Sequence, residues 1–503
     1  MPDDFSSRYQ VDMPGPDLFI GGEWRPGRGE EISSLFPADR SVNRVLAGAS
    51  SEDVDAAIDR AQDAAKNPAW RTMLAHQRAA ILHRIAEGLA QNADRISQIQ
   101  SRDTGKTLAE TKALALSAAG TFRYFAAVLE TLEEAITPAR GAYLSLSRFE
   151  PIGVVSAITP WNSPIASDAQ KVAPALAAGN AVLLKPASWS PLVALEFARI
   201  VEAAGLPKGL LSVLPGSGRV VGEKLVVDPA IGRISFTGSS PVGHGIAEKA
   251  AKRMVPVSLE LGGKSPTIVF DDADIDLAVA GVLYGIYSSS GQSCIAGSRL
   301  LVQKTIYPHF VEKLVAATKA LKVGHPFDAA TQVAPLIHDQ HRNAVAAWVE
   351  QARQDGGQVL AGGYIPQGPE FDPGIYYMPT IIAGLGNESA ICREEVFGPV
   401  LCVMPFEDEA HAISISEDNQ YGLACGVWTK DIIRALRIGA AITTGTVWIN
   451  TYKQFSIATP FGGQKESGAG REKGIEGLRA YMVQKSYYID TSAAPNPWAR
   501  LSF

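Results

Sequence analysis

Ile234-Ser-Phe236-Thr-Gly238-Ser239-Ser-Pro-Val242-Gly243 passes from an apolar, strand-like run through a glycine turn into a segment of helical character. A strand-turn-helix passage of this kind puts free helix-start amides where an anionic group can be held. Taken alone, the stretch is equally an ordinary glycine turn, and its surroundings decide the fold. Apolar runs at 154–158, 181–184, 211–214, 234–236 and 255–259 alternate with helix-like segments at 192–204, 220–227 and 242–253. Strands alternating with helices imply a parallel, doubly wound, Rossmann-like sheet whose ligand sits beyond the carboxyl ends of the strands. Gly216-Ser-Gly218-Arg219-Val-Val-Gly222 also follows one of these runs, but misses the usual GxGxxG spacing by one residue.

Upstream, residues 18–25 read as a hairpin turning at Gly21-Gly22, and helices are expected from Ser50, over 77–93 and over 109–132. Downstream of Gly263 a second α/β unit is expected. It has strands at 266–270, 299–302, 400–403 and 446–449, and helices at 275–287, 310–320 and 342–355. Residues 142–148 and 482–489 alternate as strands and would expose edges if left alone, for which pairing with another subunit is the remedy. The division expected is 1–132 with 152–262 as a dinucleotide-binding domain, 263–480 as a catalytic domain, and 133–151 with 481–503 as a small β oligomerisation element. At 503 residues the chain exceeds what one core holds.

Charge excludes some functions. With 46 basic and 52 acidic residues the net charge is −6, and no block of Lys and Arg occurs, so neither nucleic acid nor an anionic membrane is an expected partner. The apolar runs fall short of the roughly 18 residues of a membrane span. Four cysteines without a CxxC pair fit a reducing compartment, and the acidic start is unlike a signal peptide, so a cytoplasmic location is expected. His338 and His341 form the one close histidine pair, on a polar helix-like stretch that reads as a solvated face. No metal is expected.

Cys392, Cys402 and Cys425 sit in or beside apolar runs and read as core. Gly291-Gln-Ser293-Cys294-Ile-Ala-Gly297-Ser differs, because two glycines and a small serine leave Cys294 accessible. On local sequence a free cysteine is still as readily a small buried hydrophobe as a nucleophile. Partners elsewhere in the chain must choose between the two.

Those partners carry a resemblance. Thr159-Pro-Trp161-Asn162, Leu184-Lys185-Pro186, Leu259-Glu260-Leu-Gly-Gly-Lys264-Ser-Pro, Gly291-Gln-Ser-Cys294, Glu394-Glu395-Val-Phe397-Gly-Pro399 and Pro460-Phe-Gly-Gly463 with Gly470-Arg-Glu occur in this order over nearly the whole chain. Together they resemble the motifs of the NAD(P)+-dependent aldehyde dehydrogenase superfamily. The resemblance implies that Cys294 attacks an aldehyde carbon, that Asn162 and the Cys294 amide stabilise the oxyanion, and that Glu260 activates the water that hydrolyses the thioester. It further implies a homodimer or homotetramer. For the cofactor it implies Ile158, Trp161, Lys185, Gly218, Gly238, Ser239, Val242, Glu395 and Phe397.

Two departures bear on specificity. Three residues beyond Lys185, where many NAD-preferring members have Glu, this chain has Ser188. A carboxylate that would repel a 2′-phosphate is thus absent, and Arg219 is available to pair with one, so NADP+ is expected to be accepted beside NAD+. Positions that in many members are bulky read here as Ser163, Ser167, Gln170, Ser288 and Ser293, with Phe455 kept as an aromatic wall and Lys453 near it. The expected substrate is a polar, oxygenated or bulky aldehyde, anionic if Lys453 points inward. Two alternatives stand beside aldehyde oxidation: a coenzyme A-dependent acylating member, and a non-catalytic binding protein on the same fold.

Overall fold

The computed structural model describes residues 10–495 and Trp498. The remaining parts of the expected oligomerisation segment, and residues 1–9, lie outside the described residues. Two sheets dominate. The first has eight strands, and its central five are parallel: Leu211–Val213, Ala181–Lys185, Val154–Ile158, Ile231–Thr237 and Val257–Glu260, in that spatial order. Their side chains are almost entirely apolar and buried, as a sheet covered by helices on both faces requires. The Leu18–Ile20 and Glu23–Arg25 hairpin closes one edge. At the other, the two-residue strand Gly468–Ala469 pairs antiparallel to Val257–Glu260. The chain therefore returns to the first sheet from within the 263–480 stretch.

Parallel register sets the site. Lys185 lies beside Ile158, Ile158 beside Phe236, and Thr237 beside Glu260, so these residues form one row along the carboxyl edge of the sheet. The glycine loop after Leu211–Val213 contains a π-turn, Gly218–Gly222, before the short helix Glu223–Val227, where one continuous helix was expected. The π-turn absorbs the residue by which the glycine spacing is too long.

The second sheet has seven strands, of which Thr380–Ala383, Val400–Phe406, Arg299–Gln303, Pro266–Val269, Ala424–Trp428 and Thr446–Ile449 are parallel neighbours. Strands 380–383 and 424–428 were not expected. Both are short apolar runs fully buried between helices, which periodicity does not distinguish from other core segments. The two expected edge stretches pair with each other: Met482–Asp490 lies antiparallel to Tyr143–Pro151 over nine residue pairs, with Ala135–Thr137 on the far side. Met482–Asp490 remains an exposed outer edge.

Candidate active site

The loops that end the first sheet face the loops that begin strands of the second. Gly263 precedes strand 266–269, Cys294 precedes 299–303, and Glu395 with Phe397 precedes 400–406. Between them opens a cleft of about 720 Å³. Its walls include Ile158, Trp161, Asn162, Lys185, Gly218, Gly238, Ser239, Val242, Glu260, Cys294, Glu395 and Phe397.

Cys294 stands on a constrained loop. Helix Ile275–Tyr287 ends at Ser288, and Ser289, Ser290 and Gly291 are all left-handed, with φ of 56°, 54° and 71°. Three successive left-handed residues persist only when over-determined by their surroundings. Here the Ser289 amide donates to Glu110 Oε1 at 2.6 Å, Ser290 Oγ donates to the Ala334 carbonyl at 2.6 Å, and the Ile337 amide donates to Gln292 Oε1 at 3.0 Å. Gly291 is obligatory for a second reason: a Cβ there would lie 2.0 Å from the Gly398 carbonyl oxygen.

The electrostatics of the thiol are set by what surrounds it. Burial pushes the Cys294 thiol up to about 12, and the charges of Glu395 and Glu260 add to the rise while Lys453 opposes it. Asn162 Nδ2 donates to the Gln292 carbonyl at 3.1 Å, which brings a side-chain amide next to the Cys294 loop. Glu260 is 4% exposed, and neither carboxylate oxygen has a hydrogen-bond partner. Burial and then the negative Glu472 drive its pKa well above the usual carboxylate range. A carboxyl held this way is suited to take a proton from water near neutral pH.

Glu472 and Lys171 were not singled out from sequence. They form a buried ion pair with Ser235 bridging, its hydroxyl accepting from Lys171 Nζ at 3.0 Å. The signal was present, since Glu472 sits in the Gly470-Arg-Glu motif, but Lys171 is one charge within an otherwise apolar helix, Pro164–Ala177. Gln170 also turns to Glu472, so its amide serves this buried cluster instead of opening into an aldehyde pocket.

On the cofactor side, burial lowers the Lys185 ammonium to about 8, and its one hydrogen bond is to the Pro186 carbonyl at 3.1 Å. Glu395 is raised to about 7 by burial, with Oε1 accepting from the Gly263 amide at 3.1 Å. A cation and a carboxyl group held on opposite walls, each with unused hydrogen-bonding capacity, fit a ligand rich in hydroxyl groups such as a dinucleotide. Phe397 is left-handed (φ 56°) and packs edge to face on Trp161 at 5.1 Å. His341, expected on a solvated face, is instead wedged against Trp161 and hydrogen-bonded to the Phe397 carbonyl at 2.8 Å. His338 stacks on Trp189 at 5.2 Å. Trp189, His341 and Trp348 are cleft residues that sequence reading missed.

Two cofactor expectations stand outside the cleft wall. Ser188 Oγ donates to the Gly216 carbonyl at 3.0 Å. The Arg219 guanidinium pairs with Glu30 at the surface, pointing to a carboxylate already in place. On the aldehyde side, Ser163 Oγ and Ser167 Oγ are 3.1 Å apart, Ser288 accepts from Lys453 Nζ at 2.7 Å, and Ser293 is half-buried beside Cys294. Phe455 packs on Trp448 and Phe461.

A family model described as the aldehyde dehydrogenase family matches residues 24–487. Betaine aldehyde dehydrogenase of Bacillus subtilis (strain 168) is 39% identical over 484 residues, 96% of this chain and 99% of that protein. Betaine aldehyde dehydrogenase of Staphylococcus aureus in complex with NAD+ superimposes with a TM-score of 0.94 at 35% identity, covering 96% of this chain and 97% of that one. A variant aldehyde dehydrogenase of Bacillus cereus superimposes with a TM-score of 0.93 at 33% identity, over 98% and 99% of the two chains.

Proposed function

The chain belongs to the aldehyde dehydrogenase family, and from that premise we propose that it oxidises an aldehyde to the carboxylic acid through a thioester on Cys294. The observation that carries this reading is the meeting of Cys294, Asn162, Glu260 and Glu395 on the walls of one cleft.

Cys294 Sγ attacks the carbonyl carbon once its proton has left, and the Asn162 amide with the Cys294 N–H holds the oxygen that becomes negative. A bound nicotinamide dinucleotide, held by Lys185 and Glu395 on either wall, supplies the hydride acceptor that turns the thiohemiacetal into a thioester. Glu260 then takes a proton from the water that attacks the thioester carbon, and the acid leaves with the thiol regenerated. The raised proton affinity of Glu260 favours water as the acceptor over coenzyme A.

The half-buried serines around Cys294 support a polar or oxygenated aldehyde. NAD+ is bound in the S. aureus relative. At Ser188 this chain offers no carboxylate against a 2′-phosphate, which supports NADP+ as a second cofactor. The exposed strand Met482–Asp490 supports assembly into a homodimer or homotetramer. Four free thiols suit a cytoplasmic setting, and among the described residues no helix is long and apolar enough to cross a membrane.

The test is an aldehyde panel with both cofactors, read by the ultraviolet absorbance of the reduced nicotinamide, on the native protein and on Cys294→Ala. Reduced nicotinamide formation that survives Cys294→Ala refutes the nucleophile. Turnover with NAD+ alone, at saturating NADP+, refutes the second cofactor.

A further inference from the structure

Two lysines stand on the aldehyde side of Cys294. Lys453 lies in the turn after strand Thr446–Ile449, where Asn450 and Lys453 are both left-handed, with φ of 52° and 54°. Its Nζ donates to Ser288 Oγ at 2.7 Å and lies 5.9 Å from the Tyr284 ring centroid. Lys473 is also left-handed, at φ 59°. Its Nζ sits 4.2 Å from the Phe455 ring centroid and 5.4 Å from that of Phe461. Phe461 packs with Cys294 in one apolar cluster. The two ammoniums therefore flank an aromatic wall that leads to the thiol.

Neither charge is answered by the protein. Among the described residues, no carboxylate pairs with Lys453 or Lys473. The carboxylate next in sequence to Lys473, Glu472, is taken by Lys171. Glu110, whose charge acts on Lys453, accepts instead from the Ser289 and Thr107 amides. Each lysine is half-buried, and each occupies a backbone conformation that non-glycine residues avoid at a cost of about 1 kcal/mol or more. Unpaired, partly desolvated cations are unfavourable unless a ligand supplies the counter-charge. Burial lowers the Lys453 ammonium to about 7 and lowers Lys473 as well, while the charge of Cys294 acts on both in the opposite direction. Both lysines are thus within electrostatic reach of the reacting sulfur.

We propose that Lys453 and Lys473 form an anion cradle beside Cys294, so that the substrate is an aldehyde bearing a carboxylate, its stem lying against Phe455 and Phe461. The inference rests on the aldehyde oxidation proposed above and names the substrate class. A quaternary-ammonium aldehyde, the substrate class in the names of the B. subtilis and S. aureus relatives, would meet two like charges here.

The test pairs 4-formylbenzoate with benzaldehyde and 4-oxobutanoate with butanal, adds trimethylammonioacetaldehyde, and uses the native protein, Lys453→Met, Lys473→Met and the double variant. The ratio of kcat/KM for each anion over its neutral isostere is expected to exceed about tenfold, and to fall about tenfold or more in the double variant, the scale of a charged hydrogen bond. A native ratio near one, a ratio unmoved in the double variant, or a preference for the ammonium aldehyde overturns the cradle and leaves aldehyde oxidation standing. If the variants do not fold, the native protein decides by salt: KM for the anions must rise with ionic strength more steeply than KM for the neutral aldehydes. If no aldehyde yields reduced nicotinamide, the oxidation reading fails instead. Calorimetry with terephthalate, an unreactive dianion, then judges the cradle alone, and absence of binding overturns it.

Discussion

The Asn162 side-chain amide donates to the main-chain carbonyl of Gln292, two residues before Cys294, at 3.1 Å. A donor carried by the loop after the first sheet is thereby tied to the nucleophile loop of the second. The amide has a second N–H to offer, and a donor fixed in advance costs nothing to reorganise when charge develops on the carbonyl oxygen. Asn162→Ala is expected to lower kcat by about 10² to 10³, with a smaller effect on KM, in steady-state kinetics. Asn162→Asp should lose at least as much, since it keeps the shape and removes the donor. A loss confined to KM would show that the residue only positions the loop.

The resting thiol is held protonated. Burial and the charges of Glu395 and Glu260 put Cys294 at about 12. Iodoacetamide should therefore alkylate the cofactor-free protein at a rate that climbs with pH past 9 without levelling off. Glu395→Gln removes one of the opposing charges and should speed alkylation several-fold at pH 8, scored by mass spectrometry. A plateau below pH 8 in the native protein would contradict this account.

Glu260 is expected to cost the fold stability. Its folded pKa lies above the value in an unfolded chain, so the ionised form is disfavoured by folding. That penalty is absent below the unfolded value near 4.3, grows as pH rises, and is complete above the raised folded value. Glu260→Gln should thus melt higher than the native protein at pH 8, by a few degrees, and by less at pH 5. Deacylation should fail in the same variant, leaving a burst of reduced nicotinamide without steady turnover. Calorimetric scans at the two pH values and a stopped-flow trace check both.

Sequence reading reached the sheets and the three groups that do the chemistry because each leaves a local mark. Strands 154–158 and 181–185 are short apolar runs between helix starts, and Cys294, Asn162 and Glu260 lie in distinctive glycine- or proline-flanked motifs. What it missed is set by tertiary contact. Lys171 becomes meaningful only where strand 231–237 brings Ser235 and the C-terminal segment brings Glu472 against it. Lys473 follows a recognised motif, but nothing in Arg471-Glu-Lys-Gly says that its ammonium lies over Phe455, because that contact depends on a left-handed backbone at Lys473 itself. Arg219 misled in the opposite sense: a basic residue in a glycine loop suits a phosphate, yet Glu30, nearly two hundred residues away, holds it.

Gly262 supplies the last prediction. A Cβ built on it would lie 2.4 Å from Glu395 Oε2, while the amide of the next residue, Gly263, donates to Glu395 Oε1 at 3.1 Å. The glycine thus leaves room for a carboxyl group that its neighbour holds. In Gly262→Ala the end of the Glu395 side chain, the flexible partner in the clash, must yield. The fold should barely register the change, with Tm lowered by no more than about 2 °C, since no main-chain contact is broken. The cofactor should register it strongly: displacement of Glu395 removes its hydrogen bonds to the ligand, and KM for NAD+ is expected to rise about tenfold, the scale of one charged hydrogen bond. Fluorescence titration of NAD+ against both proteins, beside a thermal melt, separates the two effects. A large fall in Tm with unchanged NAD+ affinity would mean that Gly262 serves packing and that Glu395 does not hold the cofactor.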